Sequence, residues 1–185
     1  MRPLHPAERR RSTAILLQAI RCIAMGAAML TLTSLANADV GIAVLDFELR
    51  DLTLAPGGEE ELRRTAGLKV DLEKALRARG NYRLAVVASS AQARAAPGVG
   101  YLSDHPETAA ALADAASVDW MVVGTLTKPT FLFSYLQVRL VRVRDGTVVD
   151  DFYVEIKGRQ DQVTPKAVKA VAERIDTSVR AQRMP

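Results

Sequence analysis

The dipeptide Asp145-Gly146 stands between two long, largely apolar segments, residues 131–143 and 147–157. Asp-Gly is the strongest short-range signal for a tight turn between strands, because glycine readily adopts the positive φ that such a turn requires. In the second segment apolar and polar residues alternate, which predicts a strand with one buried face and one wet face. Any fold of this chain must therefore accommodate an antiparallel hairpin near its carboxyl end.

The first arm of this hairpin has an irregular pattern. Its apolar positions change parity between Leu140 and Val141. Side chains alternate between the two faces of a strand, so this change predicts either a β-bulge or a strand that is covered on both sides.

Upstream of the hairpin, apolar runs predict strands at residues 40–45, 82–88 and 119–128. Helical patterns begin at Glu59 and at Pro106, and a closing helix is predicted with Thr164 as its cap and Pro165 in its first turn. Residues 91–103 are rich in alanine and glycine and predict a loop or a weak helical turn.

The predicted fold class is α/β, with the order β-α-β-α-β-β-β-α in two or three layers. Three strands linked by helices should pair in parallel through right-handed crossovers. The C-terminal hairpin should then extend the sheet in antiparallel fashion. The closing helix should pack on the sheet through a stripe of apolar residues: Val168, Val171, Ala172, Ile175 and Val179.

Residues 1–38 have the three-part layout of a secretory signal peptide: a basic stretch, an apolar stretch at residues 22–35, and Ala36-Asn37-Ala38. Small residues at these last positions predict cleavage after Ala38 and a single α/β domain at 39–185. Arg21 interrupts the apolar run, which argues against the roughly 20 apolar residues of a stable membrane anchor. The expected location is the periplasm.

Removal of residues 1–38 changes the charge of the chain. The whole sequence has a formal charge of +4, but the basic residues cluster before residue 39 and the remainder is formally neutral. A neutral exported domain is not expected to bind nucleic acid. The single cysteine, Cys22, lies in the predicted signal peptide, so the mature domain should hold neither a disulfide nor a thiolate metal site.

Three segments, residues 41–49, 118–128 and 154–161, resemble a bacterial family of exported proteins of unknown function that is similar to the amino-terminal domain of TolB and to CsgG-like envelope domains. The resemblance implies that the protein is located in the cell envelope and that it has a non-enzymatic role in assembly or partner binding. It also implies, for members beside quinoprotein alcohol-oxidation systems, an accessory role there. Members often carry a cysteine pair ahead of the second helix, and residues 100–109 of this chain have none.

A cluster of acidic residues, Asp46, Glu48 and Asp51, leaves the carboxyl end of the first predicted strand, where open α/β sheets usually bind ligands. Acids at i and i+2 on an extended chain point the same way, so this cluster could bind a cation or a small ligand. The alternative is a structural role, in which Asp46 caps the next element and Glu48 is solvated.

Signals for catalysis are weak. His105 is the one histidine after residue 38, so a catalytic triad or a multi-histidine metal site has no second histidine, and no serine lies in a Gly-x-Ser-x-Gly elbow. Residues 97–100 are glycine-rich but lack the lysine of a phosphate-binding loop. We therefore predict no enzyme, no catalytic residues, no metal site and no cofactor.

The hairpin combines aromatic and basic residues, and its candidate partner-binding set is Phe131, Phe133, Tyr135, Arg139 and Arg142. The apolar segment at residues 131–133 lies near a predicted sheet edge and would be an aggregation risk if uncovered, so a partner, a second copy or a helix is expected to cover it. The leading hypothesis is a non-catalytic periplasmic accessory or assembly protein that contacts another envelope protein or forms a homo-oligomer. The alternative is a small-ligand or cofactor-binding module that uses the acidic cluster.

Overall fold

A computed structural model describes residues 39–54, 56, 58–114, 116–158 and 160–183; the predicted signal peptide, residues 1–38, lies outside them. The strands are β1 (Val40–Val44), β2 (Glu48–Asp51), β3 (Tyr82–Ala85), β4 (Trp120–Lys128), β5 (Phe133–Arg142) and β6 (Thr147–Lys157). The helices are α1 (Glu59–Arg77), α2 (Ser89–Ala95), α3 (Tyr101–Asp104), α4 (Pro106–Asp114) and α5 (Gln160–Arg183).

The strands form one mixed sheet in the order β3-β1-β4-β5-β6. β1 is parallel to both β3 and β4, whereas β4, β5 and β6 run antiparallel, as the sequence pattern predicts. β2 was not predicted and pairs in parallel with the carboxyl half of β4, after β1 has paired with its amino half. The α/β class is confirmed, with β2 and two short helices added to the predicted order.

Helices cover both faces of the sheet, so the domain has three layers. On the first face α1 and α5 pack against the central strands in a core that includes Ile42, Val122, Val138, Leu72 and Ile175. On the second face the short helices α2 to α4 pack through small side chains against a smaller core that includes Ala43, Met121, Val141, Leu102 and Ala109. The central strands are therefore buried on both sides.

The hairpin has the predicted turn, with Gly146 at a φ of +66°. The register shifts between Leu140 and Val141: Leu140 lies opposite Asp150 and Val141 lies opposite Val148. The extra residue is therefore Val149, which places the bulge in β6, while Leu140 and Val141 are buried on opposite faces of β5. The parity change in β5 therefore reflects cover on both faces, and the bulge occurs at the same level in the partner strand.

The closing helix has the predicted buried stripe, but its predicted start is wrong. α5 begins at Gln160, so Pro165 lies inside the helix and Thr164 is not its cap. The hydroxyl of Thr164 is buried, and no described residue forms a hydrogen bond with it. Proline is tolerated in the first turn of a helix because backbone N–H groups there have no partner within the helix, so the missing N–H of proline costs little. Here the helix begins about one turn before the position that Pro165 indicates.

Residues 91–103, predicted as a loop or a weak helical turn, contain most of α2 and part of α3 and are therefore more helical than predicted. Within the described part of the chain no helix is long and apolar enough to cross a membrane.

Candidate functional site

Asp46 lies in the bend between β1 and β2 and is held from two sides. The side-chain amide of Gln92 accepts a hydrogen bond from the Asp46 N–H at 2.8 Å and donates one to its carbonyl oxygen at 2.9 Å. Lys69 of α1 donates to Asp46 Oδ1 at 2.9 Å. Burial raises the pKa of Asp46, but hydrogen bonds from Lys69 and Ser89 outweigh it and leave this pKa below its ordinary value. Asp46 is thus an ionised carboxylate that ties β1 to α1 and α2.

The other two acids of the predicted cluster are also engaged. Glu48 accepts a hydrogen bond from the backbone N–H of Gly100 through Oε2. Asp51 Oδ1 accepts from the N–H of Thr53 at 3.0 Å and from its hydroxyl at 2.7 Å, which closes a local turn.

The three acids do not form one site. Asp46 and Glu48 line one shallow, open cleft together with Ser89, Gln92 and Val99, and Asp51 is not part of its wall. In the described residues no three His, Cys, Asp or Glu side chains are grouped so that they could hold a metal ion. Lys69 and the Gly100 N–H already take up part of the hydrogen-bonding capacity of Asp46 and Glu48, so these two acids have a structural role in addition to lining the cleft.

The two arginines among the five predicted partner-binding residues form ion pairs within the domain. Arg139 Nε lies 2.9 Å from Asp151 Oδ2 on the neighbouring strand, and its guanidinium also donates to the carbonyl oxygen of Ser103 in α3. Arg142 pairs with Asp145 at 2.9 Å, and its hydrogen bond is the main reason that the pKa of Asp145 falls to about 2. These arginines brace β5 against α3 and against the hairpin turn.

The three aromatic candidates differ in exposure: Phe133 and Tyr135 are half-buried, and Phe131 is exposed. The ring of Tyr135 meets that of Tyr153 edge-on, with centroids 5.7 Å apart. Lys157 Nζ lies 5.8 Å from the ring centroid of Phe133. Phe131, in the loop before β5, is two-thirds exposed. Phe131 is therefore the most accessible residue of the predicted surface, and the arginines are partly committed to internal contacts.

An exposed apolar cluster lies where β2 and β4 end. The Leu52 N–H donates to the Lys128 carbonyl oxygen at 2.9 Å, so the loop after β2 and the loop after β4 leave the sheet side by side. We call the four apolar residues of these loops the apolar tip: Leu52, Leu54, Phe131 and Leu132, which are 61%, 101%, 66% and 85% exposed. Two of its residues, Leu52 and Leu54, were missed by the sequence analysis.

The base of the apolar tip is fixed by charged residues. Lys128, the last residue of β4, lies 2.9 Å from Glu61 of α1 and 5.5 Å from the ring centroid of Phe131. Glu61 also pairs with Arg64, and these side chains are largely buried. The loop that carries Phe131 and Leu132 therefore begins at a residue anchored to α1.

The comparisons with known proteins agree with this fold. A family model described as a protein of unknown function (DUF2380) and called DUF3280 matches residues 40–175. The hypothetical protein CT253 from Chlamydia trachomatis is 13% identical, with a TM-score of 0.50 over 77% of this chain and 99% of that chain. At this identity the likeness shows the fold alone. A comparison with curated proteins found no match.

Two further structures are similar at lower scores. TolB from Acinetobacter baumannii is 15% identical, with a TM-score of 0.49 over 76% of this chain and 28% of that chain. LpoB from E. coli is 16% identical, with a TM-score of 0.47, and the match covers 65% of this chain and 59% of that chain. The link to CsgG-like domains stays a prediction.

Proposed function

Since the chain belongs to the DUF3280 family of proteins of unknown function, we propose that it is a non-catalytic accessory protein that binds another envelope protein through the apolar tip. The observation that carries this proposal is the exposure of four large apolar side chains on two adjacent loops. Single exposed apolar residues are ordinary on protein surfaces, whereas several of them on neighbouring loops are typical of contact sites.

The geometry of the tip suits a protein contact. Its loops leave from paired strands, and Lys128 is held by Glu61 at their base, so part of the tip is pre-ordered before a partner arrives. Pre-ordered loops lose less conformational entropy on binding. Lys128 and the half-buried Phe133 at the margin add the polar and aromatic rim that is common around an apolar contact.

The proposed location of the protein in the cell envelope depends on residues 1–38. Their basic, apolar and small-residue regions are typical of a cleaved signal peptide. Export would place the neutral domain in the periplasm, where its partner would be another envelope protein.

Site-specific photo-crosslinking in the native bacterium tests the contact. A photoreactive amino acid at Leu132 should give one discrete adduct, and the same amino acid at Val86 should give none. Val86 is a matched control because it is apolar and 81% exposed but follows β3, away from the tip loops. A Leu52→Ser change should lower the yield of the Leu132 adduct, since Leu52 lies in the adjacent loop.

Equal adducts at Leu132 and Val86, or none at Leu132, would contradict the proposal. Vesicles of envelope phospholipids provide a further arm of the test. Binding of the purified chain to these vesicles that is lost in Leu132→Ser, without a protein adduct in cells, would assign the tip to a lipid surface instead.

A small-ligand function at the cleft beside Asp46 and Glu48 has less support, because both carboxylates already have partners in the chain. A thermal-shift screen with divalent cations and quinone cofactors addresses this alternative. A rise in melting temperature that is absent from Asp46→Ala would favour it over the protein contact.

A further inference from the structure

β6 forms an edge of the sheet, and no described strand pairs with its outer side. Proteins usually protect such edges with short strands, prolines, bulges or charges, because unpaired backbone groups recruit other strands. β6 is 11 residues long and contains no proline. Its bulge at Val149 lies near its start, so residues 150–157 form a regular, open edge.

The hydrogen bonds of the sheet show which backbone groups of β5 point toward β6. The Leu45 N–H donates to the Val122 carbonyl oxygen at 3.0 Å, so the even-numbered residues of β4 face β1. Backbone groups of successive residues point to opposite sides of a strand, and the odd-numbered residues of β4 therefore face β5. They lie opposite odd-numbered residues of β5, such as Met121 opposite Val141. The even-numbered residues of β5 are thus the ones that face β6.

The same alternation continues into β6. Even-numbered residues of β5 lie opposite even-numbered residues of β6, as Leu136 does opposite Val154 and Val138 opposite Phe152. Because these residues of β6 face β5, the odd-numbered ones direct their N–H and C=O groups to the open edge. The outward-facing residues are Asp151, Tyr153, Glu155 and Lys157.

We propose that a second copy of this chain pairs with this edge, β6 against β6 in antiparallel fashion, around a two-fold axis at Val154. Asp151 then lies opposite the partner's Lys157, and Tyr153 lies opposite the partner's Glu155. Each of these pairs occurs twice, and all four outward-facing residues of each strand form backbone hydrogen bonds.

Charge selects this register over its neighbours. A shift of two residues in one direction places Asp151 opposite the partner's Glu155, and a shift in the other direction places Glu155 opposite itself. Like charges directly opposite each other on paired strands are destabilising, and opposite charges are stabilising. On the other face Phe152, Val154 and Ile156 would continue the apolar surface from one sheet to the next.

The two-fold pairing also explains how an open edge can be safe. A symmetric pairing uses the same edge of both copies, so it closes on itself and leaves no β6 edge for a third chain. The proposal is independent of the proposed function, because the apolar tip is not part of this edge.

Sedimentation equilibrium of the full chain and of two charge variants tests the proposal. Lys157→Glu places two glutamates opposite two aspartates, and Asp151→Lys places two lysines opposite two lysines. Each variant should therefore raise the dimer dissociation constant by about tenfold. Lys169→Glu is the matched control: it makes the same charge change as Lys157→Glu at an exposed position of α5 and should leave the constant unchanged.

Mixing the two variants gives the most specific readout. In a mixed dimer, residue 151 of each chain again lies opposite a residue 157 of opposite charge. The mixture should therefore associate about as tightly as the unaltered chain. Far-ultraviolet circular dichroism checks that both variants are folded. Lys157→Glu is the less disruptive variant, because the Lys157 side chain is two-thirds exposed.

A chain that stays monomeric throughout the concentration range would overturn the proposal. So would a dimer that neither variant weakens, or variants that fail to rescue each other when mixed. Capture of a strand from a different protein on this edge, with no dimer, would also overturn it. None of these results bears on the photo-crosslink at Leu132.

Discussion

Asp176 of α5 is a buried carboxylate whose removal should destabilise the domain. It is 6% exposed and accepts a hydrogen bond from the hydroxyl of Tyr82 at 2.9 Å. Arg79 and Arg180 approach it at 3.2 Å and 3.1 Å, and the amide of Asn81 at 3.5 Å. Asp176 thereby ties the closing helix to the start of β3.

The magnitude follows from these contacts. Asp176→Ala leaves the buried Tyr82 hydroxyl without its acceptor, and a hydrogen bond to a charged group contributes about 1.5–3 kcal/mol. The pair with Arg180 is largely exposed on the arginine side and adds at most about 1 kcal/mol. We expect a loss of about 3 kcal/mol in the free energy of unfolding. Tyr82→Phe removes the same hydrogen bond but leaves Asp176 with its arginines, so it should cost about 1–2 kcal/mol.

The effect of Asp176 should depend on pH. Burial raises the pKa of Asp176, but hydrogen bonds from Tyr82, Arg180 and Asn81 outweigh it, and this pKa lies below its ordinary value. A carboxylate with a lowered folded-state pKa stabilises the fold above its unfolded pKa, about 3.9, and this contribution is lost as the pH falls through the folded pKa. The stability difference between the unaltered chain and Asp176→Asn should therefore shrink below about pH 4.

Urea unfolding at neutral and acidic pH measures both effects. Trp120, the one tryptophan of the chain, is buried and gives a fluorescence signal for unfolding. Glu173→Ala is the matched control, because Glu173 is an exposed acid on the same helix and should change the stability by less than about 0.5 kcal/mol. A loss below about 1 kcal/mol in Asp176→Ala, or a difference that grows as the pH falls, would refute this reasoning.

The remaining predictions concern packing and the bend after β1. Gly124→Ala should lower the unfolding free energy by about 1–3 kcal/mol, because its Cβ would collide with the Phe47 ring; an unchanged urea midpoint would contradict this. Gly67→Ala should instead raise it by about 0.5–1 kcal/mol, because the added Cβ meets nothing within 4 Å, and thermal unfolding would show a lower melting temperature if this were wrong. Gln92→Ala removes two hydrogen bonds to the backbone of Asp46 and should lower the unfolding free energy by about 1–3 kcal/mol. Hydrogen exchange of the Asp46 amide should become faster, and an unchanged exchange rate would contradict this.

Much of the sheet could be predicted because its signals are local. Asp145-Gly146 specifies the turn, and the parity change at Leu140 and Val141 indicates that β5 is covered on both faces. β2 could not be predicted in this way. Its sequence Glu-Leu-Arg-Asp has no apolar alternation, and its structure depends on pairing with the distant end of β4.

The candidate surface was predictable only in part. Phe131 and Leu132 attract notice as an apolar run beside an edge, but the contribution of Leu52 depends on the pairing of β2 with β4. The sequence also did not indicate which face of α1 is buried at its start. Glu61 is buried and Leu62 is exposed, because Glu61 pairs with Arg64 and Lys128. Such burial of charge depends on partners that are far apart in the sequence.

Side-chain oxidative footprinting in intact cells tests the central claim most directly. If a protein partner covers the apolar tip, oxidation of Leu52, Phe131 and Leu132 in cells should fall well below that of the purified chain, while oxidation of Val86 stays the same. Equal oxidation of the tip in cells and in the purified chain would contradict the account.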